Sequence, residues 1–307
     1  MRGKAHLLAL GGSIVFSLAS GGPVLAVTPV QASIAIVGDA HGFRPVSAYM
    51  SRPGTVVSTF QGPLGTVRVA SAPGSTISFE VTPPDPHGRG SIRVGIDPSA
   101  SRPGGAGQAQ NLADLGVAQP ASTTPTPAGG TPWASTCINI NVLGGGVQGS
   151  GCSNIYKKHV NGLDWYLSNE YWASASLTTW QGPLGLHLQG VGFETTWHPG
   201  NVIYSIAPTI TQSFGTCAPW TVTTSATNNG VTIGGSITGQ ICPSTLGPWN
   251  LRLASTYPNS GTLWTGNVQG VANYQGAEGV QLVHNPAGVE ASWDDYYVID
   301  YCNGVCF

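Results

Sequence analysis

Short runs of β-branched and aromatic residues, each closed by Gly or Pro, recur along most of the chain, and this rhythm constrains the fold more than any other feature. In the first third they are Ser33-Ile34-Ala35-Ile36-Val37, Thr55-Val56-Val57-Ser58-Thr59-Phe60, Thr66-Val67-Arg68-Val69, Thr76-Ile77-Ser78-Phe79-Glu80-Val81 and Ser91-Ile92-Arg93-Val94-Gly95-Ile96. Later examples are Trp220-Thr221-Val222-Thr223-Thr224 and Val231-Thr232-Ile233. Strands of this length and spacing predict an all-β protein of antiparallel β-sandwich modules, a small N-terminal one and a larger, disulfide-stapled C-terminal one. One stretch reads two ways. Between His159 and Leu177, Val160, Leu163, Leu167 and Tyr171 fit a helix face, while Ala173, Ala175 and Leu177 alternate as in a strand. A strand is expected in its C-terminal half.

Composition narrows the class. Charged residues are 8% of the 307, against roughly 25% in an average soluble domain. That excludes a coiled coil, a charged disordered tail and an ordinary cytosolic helical enzyme. Hydrophobic residues at 41% suffice for a core.

The chain divides by composition into 1–32, 33–98, 99–132 and 133–307. The first segment places Arg2 and Lys4 before an apolar run from Leu7 to Leu18, with small-residue cleavage sites ending at Ala26 and Ala32. This is the pattern of a signal peptide, and it predicts a secreted, extracellular protein with no stable membrane anchor after cleavage. Residues 33–98 read as a small β-sandwich without Cys or Trp. Residues 99–132 have linker composition, rich in Pro, Gly, Ser and Thr, with a helical turn expected near Asn111–Val117. Residues 133–307 hold all six Cys and all nine Trp. They carry three cations, Lys157, Lys158 and Arg252, against eight acids. So acidic a module is a poor match for nucleic acid or anionic lipid. Thr59-Phe60-Gln61-Gly62-Pro63-Leu64-Gly65 returns at Thr179–Gly185 with six of seven residues identical, and Leu246–Leu253 is a looser echo. Pro second and Gly fourth suit a type I turn between strands.

The cysteines carry register information. Asn229-Gly230 is a strong two-residue hairpin turn, because both positions accept positive φ. Partners across such a hairpin have numbers summing to 459, as Cys217 and Cys242 do. They fall on a non-hydrogen-bonded pair, where Cα atoms stand about 4.5 Å apart, within disulfide range. Cys137 and Cys152 are symmetric about Gly144-Gly145 in the same way, which leaves Cys302 with Cys306. Bridges 137–152, 217–242 and 302–306 are therefore expected, with long-range stapling of the same six as the alternative.

No G-x-S-x-G elbow, H-E-x-x-H, P-loop or EF-hand loop is present. Gly144-x-Gly146-x-x-Gly149 matches a dinucleotide pattern formally, but it lies between two Cys with no helix to follow. On a strand from Val289 to Tyr301, Val289, Ala291, Trp293, Tyr297 and Ile299 would face the core, and Glu290, Ser292, Asp294 and Asp300 would face water. Glu194 and His198 are four apart with Trp197 between, yet a metal needs further ligands, and His187 could approach only if its strand neighbours this one. No metal and no cofactor is expected. The densest aromatic cluster is Asp164–Trp172. If extended, it puts Tyr166, Ser168, Glu170 and Trp172 on one face and Trp165, Leu167 and Tyr171 on the other. Flat rings beside hydroxyl and carboxylate groups suit the apolar faces and hydroxyls of sugars.

Three function classes follow. The leading one is a non-catalytic secreted protein that binds a glycan or other cell-wall polymer through Tyr166, Ser168, Glu170 and Trp172. The second is an extracellular hydrolase, a glycosidase or acid peptidase using paired carboxylates, with Glu170 or Glu194 as acid or base. The third is a structural surface protein with no ligand site.

Overall fold

The β-type runs become strands, as the computed structural model shows. It describes residues 35–36, 41–98, 112–115, 132–176, 185–214, 218–241, 244–269, 275–286, 288–304 and 306. All belong to one unit, Gln31–Phe307. In chain order the strands are β1 (Ala35–Ile36), β2 (Arg44–Arg52), β3 (Thr55–Gly62), β4 (Gly65–Ser71), β5 (Thr76–Thr82) and β6 (Arg89–Asp97). Then come β7 (Ala134–Val142), β8 (Val147–Val160), β9 (Leu163–Ser176), β10 (Leu186–Trp197), β11 (Val202–Ala207) and β12 (Gln212–Phe214). The last are β13 (Ala218–Asn228), β14 (Val231–Ile241), β15 (Ser244–Arg252), β16 (Asn259–Gln269), β17 (Gln275–Pro286) and β18 (Trp293–Asn303).

Two eight-stranded sheets result, ordered β1-β5-β6-β18-β10-β16-β15-β12 and β11-β17-β9-β8-β7-β4-β3-β2, with β13-β14 as a separate ribbon. Every described pairing is antiparallel except β1 with β5. The sheets stack face to face. Phe60, Val67, Val69, Ile138 and Ile140 of the second meet Ile92, Val94, Val191, Phe193, Tyr297 and Ile299 of the first in one apolar core. A second cluster joins Trp197 and Trp293 of the first sheet to Ile155, Tyr166 and Val283 of the second. These two Trp and Trp264 are almost wholly buried.

The composition shift at 99–132 is not a break in the sheets. β4 pairs with β7, and β6 pairs with β18, so residues 33–98 and 133–307 share both layers. Within 99–132 the expected helical turn is a 3-10 turn at Leu112–Leu115. Leu115 is fully buried in the main core, and Asp114 pairs with Arg52 at 2.8 Å.

Local sequence explains the connections. The first copy of the repeat closes the β3–β4 hairpin, with Gly62 opposite Gly65; the second, apart from Gly185, lies outside the described residues. The looser echo differs, because Leu246–Arg252 continues as strand β15. Pro248 is tolerated there since β12 pairs only as far as Leu246, and no ladder bond on that side is lost. The ambiguous stretch has no helix as far as Ser176: β8 runs to Val160 and β9 is extended from Leu163. Asn161 and Gly162, at φ 52° and 77°, turn β8 into β9.

β13 and β14 pair in the expected register, from Asn228↔Val231 out to Ala218↔Ile241, around Asn229 and Gly230 at φ 48° and 78°. Cys217 and Cys242, one step further out, lie outside the described residues. Cys137 and Cys152 face each other on β7 and β8 and are bonded, their Cα atoms 4.1 Å apart. Cys302 and Cys306 are bonded as well. The first bridge is buried and closes 15 residues of chain. A Cys137→Ala/Cys152→Ala variant should lose about 3 kcal/mol in urea unfolding, and a non-reducing peptide map of the native chain should join these two cysteines.

Candidate functional site

The outer face of the first sheet carries a row of four residues across four strands. Gly95 on β6 lies opposite Tyr296 on β18, Tyr296 opposite Glu194 on β10, and Glu194 opposite Gly261 on β16. The small ends make room for the large centre. A Cβ at Gly95 would stand 2.9 Å from the Tyr296 ring, and one at Gly261 would meet the Phe193 carbonyl at 2.2 Å. The Arg93 guanidinium lies 4.3 Å over the Tyr296 ring, a cation–π contact.

Glu194 is the centre of this surface. Its Oε1 accepts from Asn259 Nδ2 at 2.7 Å and Thr196 Oγ1 at 3.2 Å. Its Oε2 accepts from Asn250 Nδ2 at 2.8 Å and Arg93 Nη2 at 3.4 Å. Although it sits on the outer face, its side chain is 5% exposed. Four donors from β6, β10, β15 and β16 thus converge on one carboxylate, and each is fixed by the contact. Asn250 takes φ 50°, which Asn tolerates better than most residues, at the irregularity between Trp249 and Arg252.

Above this row is a cleft of about 300 Å³, completed by Arg252 and the exposed Tyr257. Beside it is a second hollow of about 330 Å³ bounded by Ser78, Phe79 and Glu80. Arg93 and Tyr296 line both. At one edge His198 Nε2 contacts Asp294 Oδ2 at 3.1 Å. Burial raises the Asp294 carboxyl, and His198 opposes that shift. Burial, then the nearby Asp294 charge, also raises the Tyr296 hydroxyl, so it remains a neutral donor and acceptor. By contrast, a small pocket beside Ala207 and Pro208 holds about 10 Å³, room for no more than a water.

The residues expected to bind a polymer lie elsewhere. Tyr166 and Ser168 on β9 are fully buried between the sheets, and a ring with no exposed area offers no stacking surface. Tyr166 packs against Trp133 and Trp197, and its hydroxyl accepts from the Ala291 amide. Glu170 and Trp172 continue the same strand, opposite Gly279 and Ala277; their side chains lie outside the described residues. Glu170 and Glu194 stand on strands of different sheets. His187 lies near the start of β10 and His198 just past its end, about 30 Å or more apart at roughly 3.3 Å per residue. Among the described residues no three His, Cys, Asp or Glu gather as a metal would require.

Sequence reading also passed over Asp295. Parity on β18 points it inward with Trp293, Tyr297 and Ile299, and it is 2% exposed. Its Oδ2 accepts from Thr136 Oγ1 of the opposite sheet at 2.8 Å and from Trp293 Nε1 at 3.1 Å. Its Oδ1 accepts from Thr195 Oγ1 at 3.0 Å. Burial outweighs these donors and pushes the carboxyl up to about 6.

No protein-family model matches this chain, and no curated protein sequence matches it. The site itself must therefore carry the functional argument.

The Asp295 shift has a sign. The folded state holds this proton up to about pH 6, whereas an unfolded Asp releases it near 3.9. The group's contribution is therefore complete below about pH 4 and is lost as pH rises through 6, on the order of 3 kcal/mol at most. Urea unfolding of wild type from pH 4 to 7 should show this loss relative to Asp295→Asn; parallel curves for the two would refute it.

Proposed function

We propose that the protein is a secreted, non-catalytic binding protein whose ligand is a glycan or another hydroxyl-rich polymer of a cell surface, held on the outer face of the first sheet. The observation that carries this reading is the convergence on one open cleft of two fixed amides, two guanidinium groups, a carboxylate and two tyrosines. Sugars present hydroxyls that both donate and accept, and apolar ring faces that pack on Tyr. Amides, carboxylate and Arg match the first property, and Tyr257 and Tyr296 the second. Two hollows side by side, sharing Arg93 and Tyr296, suit consecutive units of a chain.

The hydrolase reading has weaker support. It needs one carboxylic acid poised to donate a proton and a second carboxylate across the scissile bond. Glu194 is engaged by four donors, and the neighbouring Asp294 is paired with His198. Export is favoured by the signal-like N-terminus and by disulfides, which persist in oxidising compartments. No helix among the described residues is long and apolar enough to cross a membrane.

Pull-down on insoluble polysaccharides and peptidoglycan, with an assay for released sugar, tests the proposal. Wild type should be retained without releasing sugar. Tyr257→Ala and Arg252→Ala, both exposed positions, should weaken retention about tenfold, and Glu194→Gln should do so while keeping the fold by circular dichroism. Equal retention by all three variants would remove this face from consideration, and released sugar would restore the hydrolase reading.

A further inference from the structure

The β13–β14 ribbon stands apart from both large sheets. It contains no Asp, Glu, Lys, Arg or His from Ala218 to Ile241. Each strand is 11 residues long. Its register sorts the residues into two faces. One face pairs Trp220 with Gly239, Val222 with Ile237, Thr224 with Gly235, Ala226 with Ile233 and Asn228 with Val231. The other pairs Thr221 with Thr238, Thr223 with Ser236, Ser225 with Gly234 and Thr227 with Thr232. The first is largely apolar; the second is mostly hydroxyl and glycine, with Pro219 opposite Gln240 at its outer end.

The ribbon lies over the outside of the second sheet. Ala226 and Ile233 pack on Val160, Trp165, Leu167 and Leu282, while Thr221, Thr223, Ser225 and Thr227 are exposed. Among the described residues neither β13 nor β14 pairs with a strand of either large sheet. Side-chain packing on that patch therefore holds the ribbon, together with a hydrogen bond from Thr224 Oγ1 to Ser205 Oγ of β11.

We infer that this ribbon is a membrane-inserting hairpin, whose apolar face leaves the second sheet for the hydrocarbon of a bilayer and whose hydroxyl face lines a water-filled lumen. The dimensions fit. Eleven residues extend about 37 Å, and a tilt of about 45° reduces that to about 26 Å, against an apolar band about 25 Å tall in transmembrane barrels. Alternation of apolar and uncharged polar residues is the pattern such strands require, and here Thr224 and Asn228 are the polar residues on the apolar face. A single hairpin in lipid would leave its edge N–H and C=O groups without partners. Insertion therefore requires hairpins from several copies of the chain, closed into a barrel. A simple cover for Trp165 and Leu167 would need only the apolar face. The ribbon lies within a longer charge-free run, Pro199–Leu251, so neither of its faces would carry a charge into lipid or lumen.

The test keeps surface capture independent of the glycan proposal. Full-length chain with a C-terminal hexahistidine tag is captured on phosphatidylcholine vesicles containing a nickel-chelating lipid and loaded with a self-quenching dye. Wild type should release the dye. In Ser205→Cys/Thr224→Cys, two side chains already in contact would be joined, pinning β13 to β11. The oxidised variant should release dye at least about tenfold more slowly than wild type, and mild reduction should restore release without altering wild type treated alike. Ser225→Lys puts a charge on the exposed hydroxyl face, so it should still fold and release dye, and in planar bilayers its conductance should favour anions relative to wild type. Captured wild type that releases no dye overturns the proposal. So does an oxidised, pinned variant as active as wild type, and unchanged ion preference in Ser225→Lys overturns the lumen assignment.

Discussion

Strand β18 lies between β6 and β10, and most of the structure depends on that placement. Its register sets Tyr297 against both Val94 and Phe193, so the C-terminal strand joins residues from the first third of the chain to those from the middle. Its inward residues, Trp293, Tyr297, Ile299 and Tyr301, fill both core clusters. Its Asp295 ties the first sheet to Thr136 of the second, and its outward Tyr296 lines the cleft beside Glu194. Pairings so distant in sequence close long loops before any contact compensates, which makes them slow to form.

What was legible in the sequence was local. Asn229-Gly230 set a register that the structure reproduces along eleven pairs, and the symmetry of Cys137 and Cys152 predicted their bond. The same reasoning was available at Asn161-Gly162, where it would have made the whole of Leu163–Ser176 a strand. Period was legible too: Tyr166 and Ser168 share one face, and Trp165 and Leu167 the other. Which face meets water was not. β9 is flanked by β8 and β17, its one face lies against the first sheet, and its other is covered by the ribbon. A strand buried on both sides leaves aromatics on both, so an aromatic cluster alone does not mark a surface.

The cleft was illegible for a different reason. It takes about one or two residues from each of β6, β10, β15, β16 and β18, spread from Arg93 to Tyr296. No spacing within one strand joins them, because the strand order does. Only Glu194 had been singled out. Even so, the glycines beside the central pair leave a trace. Gly95 and Gly261 are weak strand residues, and each stands where a side chain would collide with the site or the strand that carries it.

Charge is so scarce in this chain that its placement is informative. Arg52–Asp114 holds the 3-10 turn, Lys157–Asp164 sits beside the β8–β9 turn, and Arg93–Glu194 orders the cleft. Each pins a connection or a site. The ribbon, with none, is held by apolar packing, which lipid can replace and water cannot. Cleft and ribbon also occupy the outer faces of different sheets, so a polymer in the cleft leaves the ribbon's hydroxyl face uncovered. Surface capture and release of the hairpin are therefore separable, each governed by its own sheet, with the buried Asp295–Thr136 contact between the two sheets that carry them.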